Sequence, residues 1–163
     1  MRWREFARQC PELAELAETR FRRDQLVLLG TLRADGTPRI SAVECDFAGD
    51  DLLTGMIPNS VKALDLRRDP RATVHSWPPG KDNPDGDVKL YGRLVEVADR
   101  PTKQAYEDAI FARIQWRPTE PYHCFAVDVE SAGFLRFGPP EAEEVWAWRA
   151  GGQLTKRVRA VVV

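Results

Sequence analysis

The N-terminal part of the chain carries apolar side chains at helical spacing. Trp3, Phe6, Cys10 and Leu13 follow one another at intervals of three or four residues, which places them on one face of a helix. Pro11 suits the first turn of a new helix, because its missing N–H is not needed there. This pattern predicts two consecutive helices, or one helix with a break, with a single apolar face.

From residue 25 onwards the apolar residues recur at the spacing of β-strands. The turns between the first strand-like runs are short, as in ADGT (34–37), which is typical of an antiparallel meander. The predicted strands are 25–33, 38–47, 52–57, 71–77, 88–97, 122–130, 133–138 and 143–149. Two helices interrupt them, a short one around Lys62 and a longer one over 98–116. This order predicts a mainly β (α+β) fold, an antiparallel barrel with peripheral helices, in one domain over residues 1–163.

Composition excludes several classes of protein. The formal net charge is −1, so no strongly basic surface for nucleic acid is expected. No apolar run approaches the roughly 18 residues of a membrane helix, and the N-terminus lacks the apolar core of a signal peptide. The three cysteines form no C-x-x-C pair, which favours buried reduced thiols over a metal site. We therefore expect a cytoplasmic protein with no metal, membrane or nucleic-acid partner.

The sequence contains no recognisable catalytic motif. It has no G-x-G-x-x-G, no P-loop and no G-x-S-x-G. His75 in a strand is a structural imidazole or the lining of a pocket, and His123 is a structural or surface residue. Trp146 and Trp148 lie two apart and share a face of their strand. They pack in the core or a dimer interface, or one of them forms a stacking wall for a flat ring.

The stretch GMIPNSVKALDLRRDP (55–70) contains the first of only five lysines, at an unusual position. Lys62 falls in the first turn of a short helix that follows Asn59 and Ser60, where the helix dipole is already positive. The free N–H groups of that turn add to the same potential. Such a site suits a phosphate group. The alternative is a solvated lysine on an exposed turn.

Four segments in this order resemble the pyridoxamine 5′-phosphate oxidase-like family of flavin-binding split β-barrels. They are VLLGTLRADGTPRISAVE, LLTGM, SVKALDLRRDPRATVHS and VKLYGRLVEV. The resemblance covers about residues 3–100. It implies a split barrel with the helical segment 1–23 packed on it. It also implies a homodimer whose cofactor sites lie between the subunits.

The resemblance also implies which residues hold the cofactor. Ser60 and Lys62 correspond to the phosphate-binding segment, and Arg39, Ser41 and the backbone of Val43 correspond to the strand beside the flavin ring and ribityl chain. With neighbouring positions and the aromatic candidates, the expected cofactor-binding set is Arg39, Ser41, Val43, Thr54, Met56, Asn59, Ser60, Lys62, His75 and Trp148.

The chain departs from the family pattern at two places. Many members carry Arg-Lys where this chain has Val61-Lys62, which predicts either weaker phosphate binding or the substitution of another arginine for the absent one. The segment TKRVRAVVV (155–163) lacks the histidine with which the vitamin oxidase grips its substrate phosphate. Oxidation of pyridoxamine phosphate itself is therefore not expected.

The function implied by the resemblance is that of a flavin-dependent oxidoreductase acting on a small molecule. FMN is the expected cofactor, with the deazaflavin coenzyme F-420 and haem as alternatives. The rival functions are a flavin- or haem-binding module without turnover and a degenerate barrel that binds no cofactor. Loop 78–87 is expected to shape the substrate entrance, and no residue is assigned a catalytic role.

Overall fold

The computed structural model describes residues 1–78, 80, 84–138 and 142–160. The helices formed by these residues are α1 (Trp3–Gln9), α2 (Pro11–Asp24), α3 (Val61–Arg68) and α4 (Arg100–Ile114). The strands are β1 (Leu26–Leu32), β2 (Pro38–Ala48), β3 (Asp51–Met56), β4 (Arg71–Ser76), β5 (Asp87–Glu96), β6 (His123–Gly138), β7 (Ala142–Arg149) and β8 (Thr155–Ala160). None of the described helices is long and apolar enough to cross a membrane.

Six of these strands close into an antiparallel barrel. The strand order is β3-β2-β1-β4-β5-β6-β7-β8, and an additional pairing of β3 with β6 closes the ring. β6 is 16 residues long, so its first part pairs with β3 and its second part pairs with β7. The hairpin β7–β8 extends the sheet beyond the ring. The predicted split antiparallel barrel with peripheral helices is confirmed.

Two strands differ from the sequence-based assignment. The runs predicted as 122–130 and 133–138 form one continuous strand, β6, whose register shifts opposite Tyr91 and Gly92. A Cβ at Gly92 would lie 2.0 Å from the carbonyl oxygen of Asp128, so this irregularity requires a glycine. Strand β8 was not predicted, because every one of its residues is exposed and no apolar alternation marks it.

Two apolar cores lie on either side of the barrel wall. The helices α1 and α2 pack on the barrel through Phe6, Leu13 and Phe21, all of which are buried in the main core. Helix α4 packs against β2 and buries Tyr106 and Ile110 in a second, smaller core. Helix α4 therefore covers the barrel wall beside β2, and its apolar side chains line a cavity there.

Candidate functional site

The barrel opens between β2 and β3. These strands pair only over Cys45–Ala48 and Asp51–Thr54. Beyond that point the β2 residues from 38 to 44 pair with β1 alone, and Gly55 and Met56 pair with β6 alone. The two strands therefore diverge, and the gap between them is called the cleft below.

Backbone groups of β2 point into the cleft. The amide of Cys45 donates to the carbonyl oxygen of Gln25, on the β1 side of the strand. Because backbone groups alternate sides along an antiparallel strand, those of Glu44 and Ala42 face the opposite way, towards β3. No strand pairs with them there. These groups are available to hydrogen-bond a ligand in the cleft.

The cleft has a volume of about 520 Å³, which is within the range of small-molecule sites. One wall comes from β2, and a second wall comes from the end of β3 and the turn that follows it. Its third wall comes from α4 and the segment after it. The lining residues are Ala42, Val43, Glu44, Gly55, Met56, Ile57, Pro58, Lys62, Tyr106, Ile110, Trp116, Pro118, Thr119 and Tyr122.

The two tyrosines of the third wall, Tyr106 and Tyr122, are held in place by contacts with other residues. The Tyr122 hydroxyl donates to Glu107 at 3.1 Å, and Arg100 donates to both carboxylate oxygens of Glu107. Burial and the bond to Glu107 raise the pKa of Tyr122, so the phenol stays neutral. Tyr106 packs directly on β3, since a Cβ at Gly55 would lie 2.6 Å from its hydroxyl oxygen. The wall presents apolar ring surface to the cleft.

The other end of the cleft is positively charged. Helix α3 begins after Ser60 without a side-chain cap and has no acidic residue in its first turn. Its first amides therefore keep free N–H groups. Lys89, Lys103 and Lys156 are each paired with a carboxylate, whereas Lys62 lines the cleft and pairs with none of the described carboxylates.

A buried hydroxyl without a partner lies beside this end. The Ser60 Oγ atom is shielded from solvent and has no hydrogen-bond partner among the described residues, and the same holds for Thr54 Oγ1 on β3. An unsatisfied buried hydroxyl is costly unless a ligand completes it. Together with Lys62 and the start of α3, Ser60 forms a place that an anionic group would satisfy.

The structure brings six of the ten predicted cofactor-binding residues to the cleft or next to it. Val43, Met56 and Lys62 line the cleft. Asn59 and Ser60 belong to the turn that connects its β3 wall to α3, and Thr54 immediately precedes the lining residue Gly55.

The other four predicted residues do not line the cleft. Arg39 is paired with Asp65 at 2.7 Å, and Ser41 is half-buried on β2. His75 contacts Asp87 at 3.5 Å and the carbonyl oxygen of Ser76 at 2.6 Å. Trp148 is buried in the main core, where its ring lies 5.1 Å from that of Phe6.

The aromatic and aliphatic residues of the third wall were not among the predicted site residues. Tyr106 and Ile110 belong to α4, and Trp116 and Tyr122 follow it. The helical spacing of 98–116 indicated an apolar face, but nothing in it indicated which part of the barrel that face would cover.

Loop 78–87 was predicted to shape the substrate entrance. Residues 79 and 81–83 of this loop lie outside the described part of the chain, so that prediction stays a prediction.

Solved structures share this architecture at low sequence identity. A pyridoxamine 5′-phosphate oxidase-related, FMN-binding protein from Nostoc punctiforme superposes with a TM-score of 0.62 at 16% identity, covering 92% of this chain and 95% of that one. PhzG from Burkholderia lata, in complex with tetrahydrophenazine-1-carboxylic acid, gives 0.60 at 11% identity over 91% and 88% of the two chains.

A third similar structure is a haem-binding protein from Mycobacterium smegmatis. It superposes with a TM-score of 0.62 at 19% identity over 90% of this chain, which spans only 58% of that protein. A comparison with curated proteins finds no significant match. At these identities the structural likeness shows the fold.

The sequence itself matches a family model. The model described as pyridoxamine 5′-phosphate oxidase matches residues 13–136. This match spans the barrel from α2 to the second half of β6, and it includes both strands of the cleft, the turn with Ser60 and the start of α3 with Lys62. The chain therefore belongs to the pyridoxamine 5′-phosphate oxidase family.

Proposed function

We propose that this protein is a flavin-dependent oxidoreductase that binds FMN in the cleft and acts on a small molecule. The observation that carries the proposal is the shape and charge of the cleft. It is an open gap between two strands that ends at an uncapped helix start with Lys62, a cation that pairs with none of the described carboxylates. That arrangement suits a flat ring joined to a phosphate.

The described residues fit such a cofactor at both ends. Lys62, the buried Ser60 hydroxyl and the first amides of α3 would hold the phosphate. The free backbone groups of Ala42 and Glu44 would hydrogen-bond the polar edge of the ring, and the apolar wall would exclude water. Bound flavin supplies the transfer of a hydride or electrons, so the protein needs only to position the reactants.

The histidines favour flavin over haem in this cleft. Haem iron is commonly held by a histidine, although cysteine, methionine and tyrosine also serve. Neither His75 nor His123 is among the residues that line the cleft. Both have a carboxylate neighbour, Asp87 for His75 and Glu96 for His123. A haem-binding module remains the second candidate, because Met56, Tyr106 and Tyr122 line the cleft and a solved haem-binding protein has the same fold.

The proposal includes a homodimer with the cleft at its interface. Ile57 in the cleft wall and Ile40 on β2 are each 73% exposed, and Val61 at the start of α3 is 57% exposed. Large apolar side chains grouped at the rim of a site mark an interaction surface. The family resemblance implies that a second copy of the chain covers it. The three buried free thiols suit a reducing compartment and support a cytoplasmic location.

The test is a binding measurement with Lys62→Ala. The purified protein is titrated with FMN, riboflavin, the deazaflavin coenzyme and haem, and flavin fluorescence or haem absorbance is recorded. FMN affinity should fall about 10- to 100-fold in Lys62→Ala, which is the effect of losing one charge-assisted hydrogen bond. Riboflavin affinity should not change, because riboflavin has no phosphate.

The matched control is Lys156→Ala, which removes the same charge from β8, where Lys156 is paired with Glu12. It should leave FMN affinity unchanged. A wild-type protein that binds no flavin would refute the proposal, and a Soret band from added haem would favour the haem-binding module. Bound FMN that is never reduced by a nicotinamide donor or any substrate would indicate a binding protein without turnover.

A further inference from the structure

The turn that ends at Ser60, just before the first turn of α3 with Lys62, has a defined conformation. It spans Ile57 to Ser60, and the Ser60 amide donates to the Ile57 carbonyl oxygen at 3.2 Å. Pro58 occupies its second position, and Asn59 occupies its third with φ of +57°. This is the form of a type II turn, for which proline is common at the second position and glycine or asparagine is favoured at the third.

The central peptide of this turn is held by a histidine from a neighbouring strand. The Asn59 amide donates to Nε2 of His123 at 3.4 Å. In a type I turn the same peptide is rotated by about half a turn, so its N–H would point away from the imidazole. A hydrogen-bond acceptor at this position therefore favours the type II form.

The second nitrogen of the imidazole fixes its protonation. Nδ1 of His123 lies 2.6 Å from a carboxylate oxygen of Glu96 on β5. A carboxylate only accepts, so Nδ1 carries a hydrogen, and the Asn59 N–H that points at Nε2 requires that nitrogen to be the acceptor without a hydrogen. The His123 side chain is itself only 14% exposed, whereas that of Glu96 is 38% exposed and both hydrogen bonds lie at the surface.

The same carboxylate reaches the far end of α3. Glu96 also pairs with Arg67, in the last turn of that helix, at 3.3 Å. Both of these side chains are substantially exposed, so this outer contact is weak. The stronger contact is that of His123, which links β5 to the turn that begins α3.

We propose that His123 is a positioning residue for the phosphate end of the cleft. Its neutral imidazole connects Glu96 to the Asn59 amide and holds the Ile57–Ser60 turn in the form that directs Ser60 and the first turn of α3 into the cleft. This inference rests on the proposed function, because the turn positions Ser60 and the start of α3 to bind the flavin phosphate.

Two substitutions test the contacts of the two imidazole nitrogens one at a time. His123→Gln places a carbonyl oxygen near the position of Nε2 and keeps an acceptor for the Asn59 amide. His123→Asn keeps a donor near the position of Nδ1 for Glu96 but is too short to reach Asn59. FMN affinity should fall about five-fold in His123→Asn, the size of one net hydrogen bond, and should stay within about two-fold of wild type in His123→Gln.

Riboflavin distinguishes positioning of the phosphate site from a general effect on folding. Its affinity should be the same in wild type and both variants, because it does not use the turn. Equal losses for FMN and riboflavin would overturn the proposal, as would wild-type FMN affinity in His123→Asn.

A measurement without flavin keeps the inference separate from the proposed function. The ¹⁵N NMR shifts of the His123 ring should show hydrogen on Nδ1 and none on Nε2, and the Asn59 amide peak should move in His123→Asn more than in His123→Gln. Hydrogen on Nε2 would overturn the proposal even if FMN binds. If wild type binds no flavin, the proposed function fails, and this measurement alone decides whether His123 holds the turn.

Discussion

At the scale of single residues, Arg39 forms an ion pair with Asp65 on α3, a contact that involves no ligand. Its Nε donates to Asp65 at 2.7 Å, and the same carboxylate accepts from Thr31 at 3.2 Å and from Arg68 at 3.2 Å. Asp65 is 4% exposed. Burial alone would raise the pKa of this carboxyl group, but these three bonds outweigh it, so the pKa lies below its ordinary value.

We expect Asp65→Asn to destabilise the protein by about 2 kcal/mol, because it leaves Arg39 and Arg68 without their counter-charge. The free energy of unfolding in urea measures this loss. The matched control is Glu130→Gln, which breaks the exposed pair between Arg93 and Glu130 and should change stability by less than about 0.5 kcal/mol. Equal effects of the two substitutions would show that the Asp65 cluster contributes nothing beyond a surface ion pair.

The difference in stability between wild type and Asp65→Asn should also depend on pH, in a direction that follows from the lowered pKa of Asp65. A carboxyl group whose pKa is lowered by folding stabilises the protein above its unfolded pKa, about 3.9. That contribution is lost as the pH falls through the lower folded pKa. The gap in stability between wild type and Asp65→Asn should therefore be constant near neutral pH and should narrow below about pH 4.

The sequence-based interpretation predicted Lys62 and Ser60 as phosphate-binding residues from local signals of a helix start, and the structure has that helix start at Val61. It placed Arg39 against the cofactor and did not anticipate its pairing with Asp65 on α3. Asp65 is 26 positions away in the chain, and no local pattern reports such a contact. The role of His123 was missed for the same reason, since its partner Asn59 is 64 positions away.

At the scale of elements, the site depends on how closely α4 approaches β3. A Cβ at Gly55 would lie 2.6 Å from the Tyr106 hydroxyl oxygen and 2.9 Å from a ring carbon of the same side chain. The tyrosine ring is rigid and buried, so it cannot move aside without shifting the helix. Gly55 therefore sets the width of the cleft at its apolar wall.

We expect Gly55→Ala to destabilise the protein by about 1–3 kcal/mol, the usual cost of overpacking a core, and to lower FMN affinity by displacing Tyr106. Thermal unfolding and FMN titration measure the two effects. Gly30→Ala on β1 is the control, because a Cβ there would meet Thr73 at an ordinary 3.6 Å. A Gly55→Ala protein as stable as the control would mean that α4 is loosely packed.

The elements themselves were largely predictable, whereas their arrangement around the site was not. Strands β1 to β5 and all four helices follow from apolar spacing, turn residues and proline positions. β8 has no buried face and so leaves no apolar pattern. The position of α4 across the gap depends on contacts between its apolar face and Leu53, Tyr122 and Cys124, which come from distant parts of the chain.

At the scale of the whole molecule, some of the most exposed apolar residues lie at or near the cleft, whereas others, such as Phe137 and Val158, lie on β6 and β8. Ile57 lines the cleft, and Val61 lies with Arg39 on an adjoining concave surface. Ile40 is next to Arg39 on β2 and is 73% exposed. Burying such side chains against a second copy would gain about 25 cal/mol for each Å² of apolar surface removed from water. A monomer would leave this surface in contact with solvent.

We expect the protein to run at twice its chain mass of 18.5 kDa in light scattering, and Ile40→Asp to shift it towards the monomer. A buried, unpaired carboxylate at an interface costs several kcal/mol. Val158→Asp is the matched control, because Val158 is 72% exposed but lies on β8, outside the barrel ring. It should leave the mass unchanged. If the second copy completes the cleft, the FMN affinity of Ile40→Asp should fall together with its fraction of dimer, although Ile40 does not line the cleft. A monomeric variant that binds FMN as tightly as wild type would show that each chain forms its site alone.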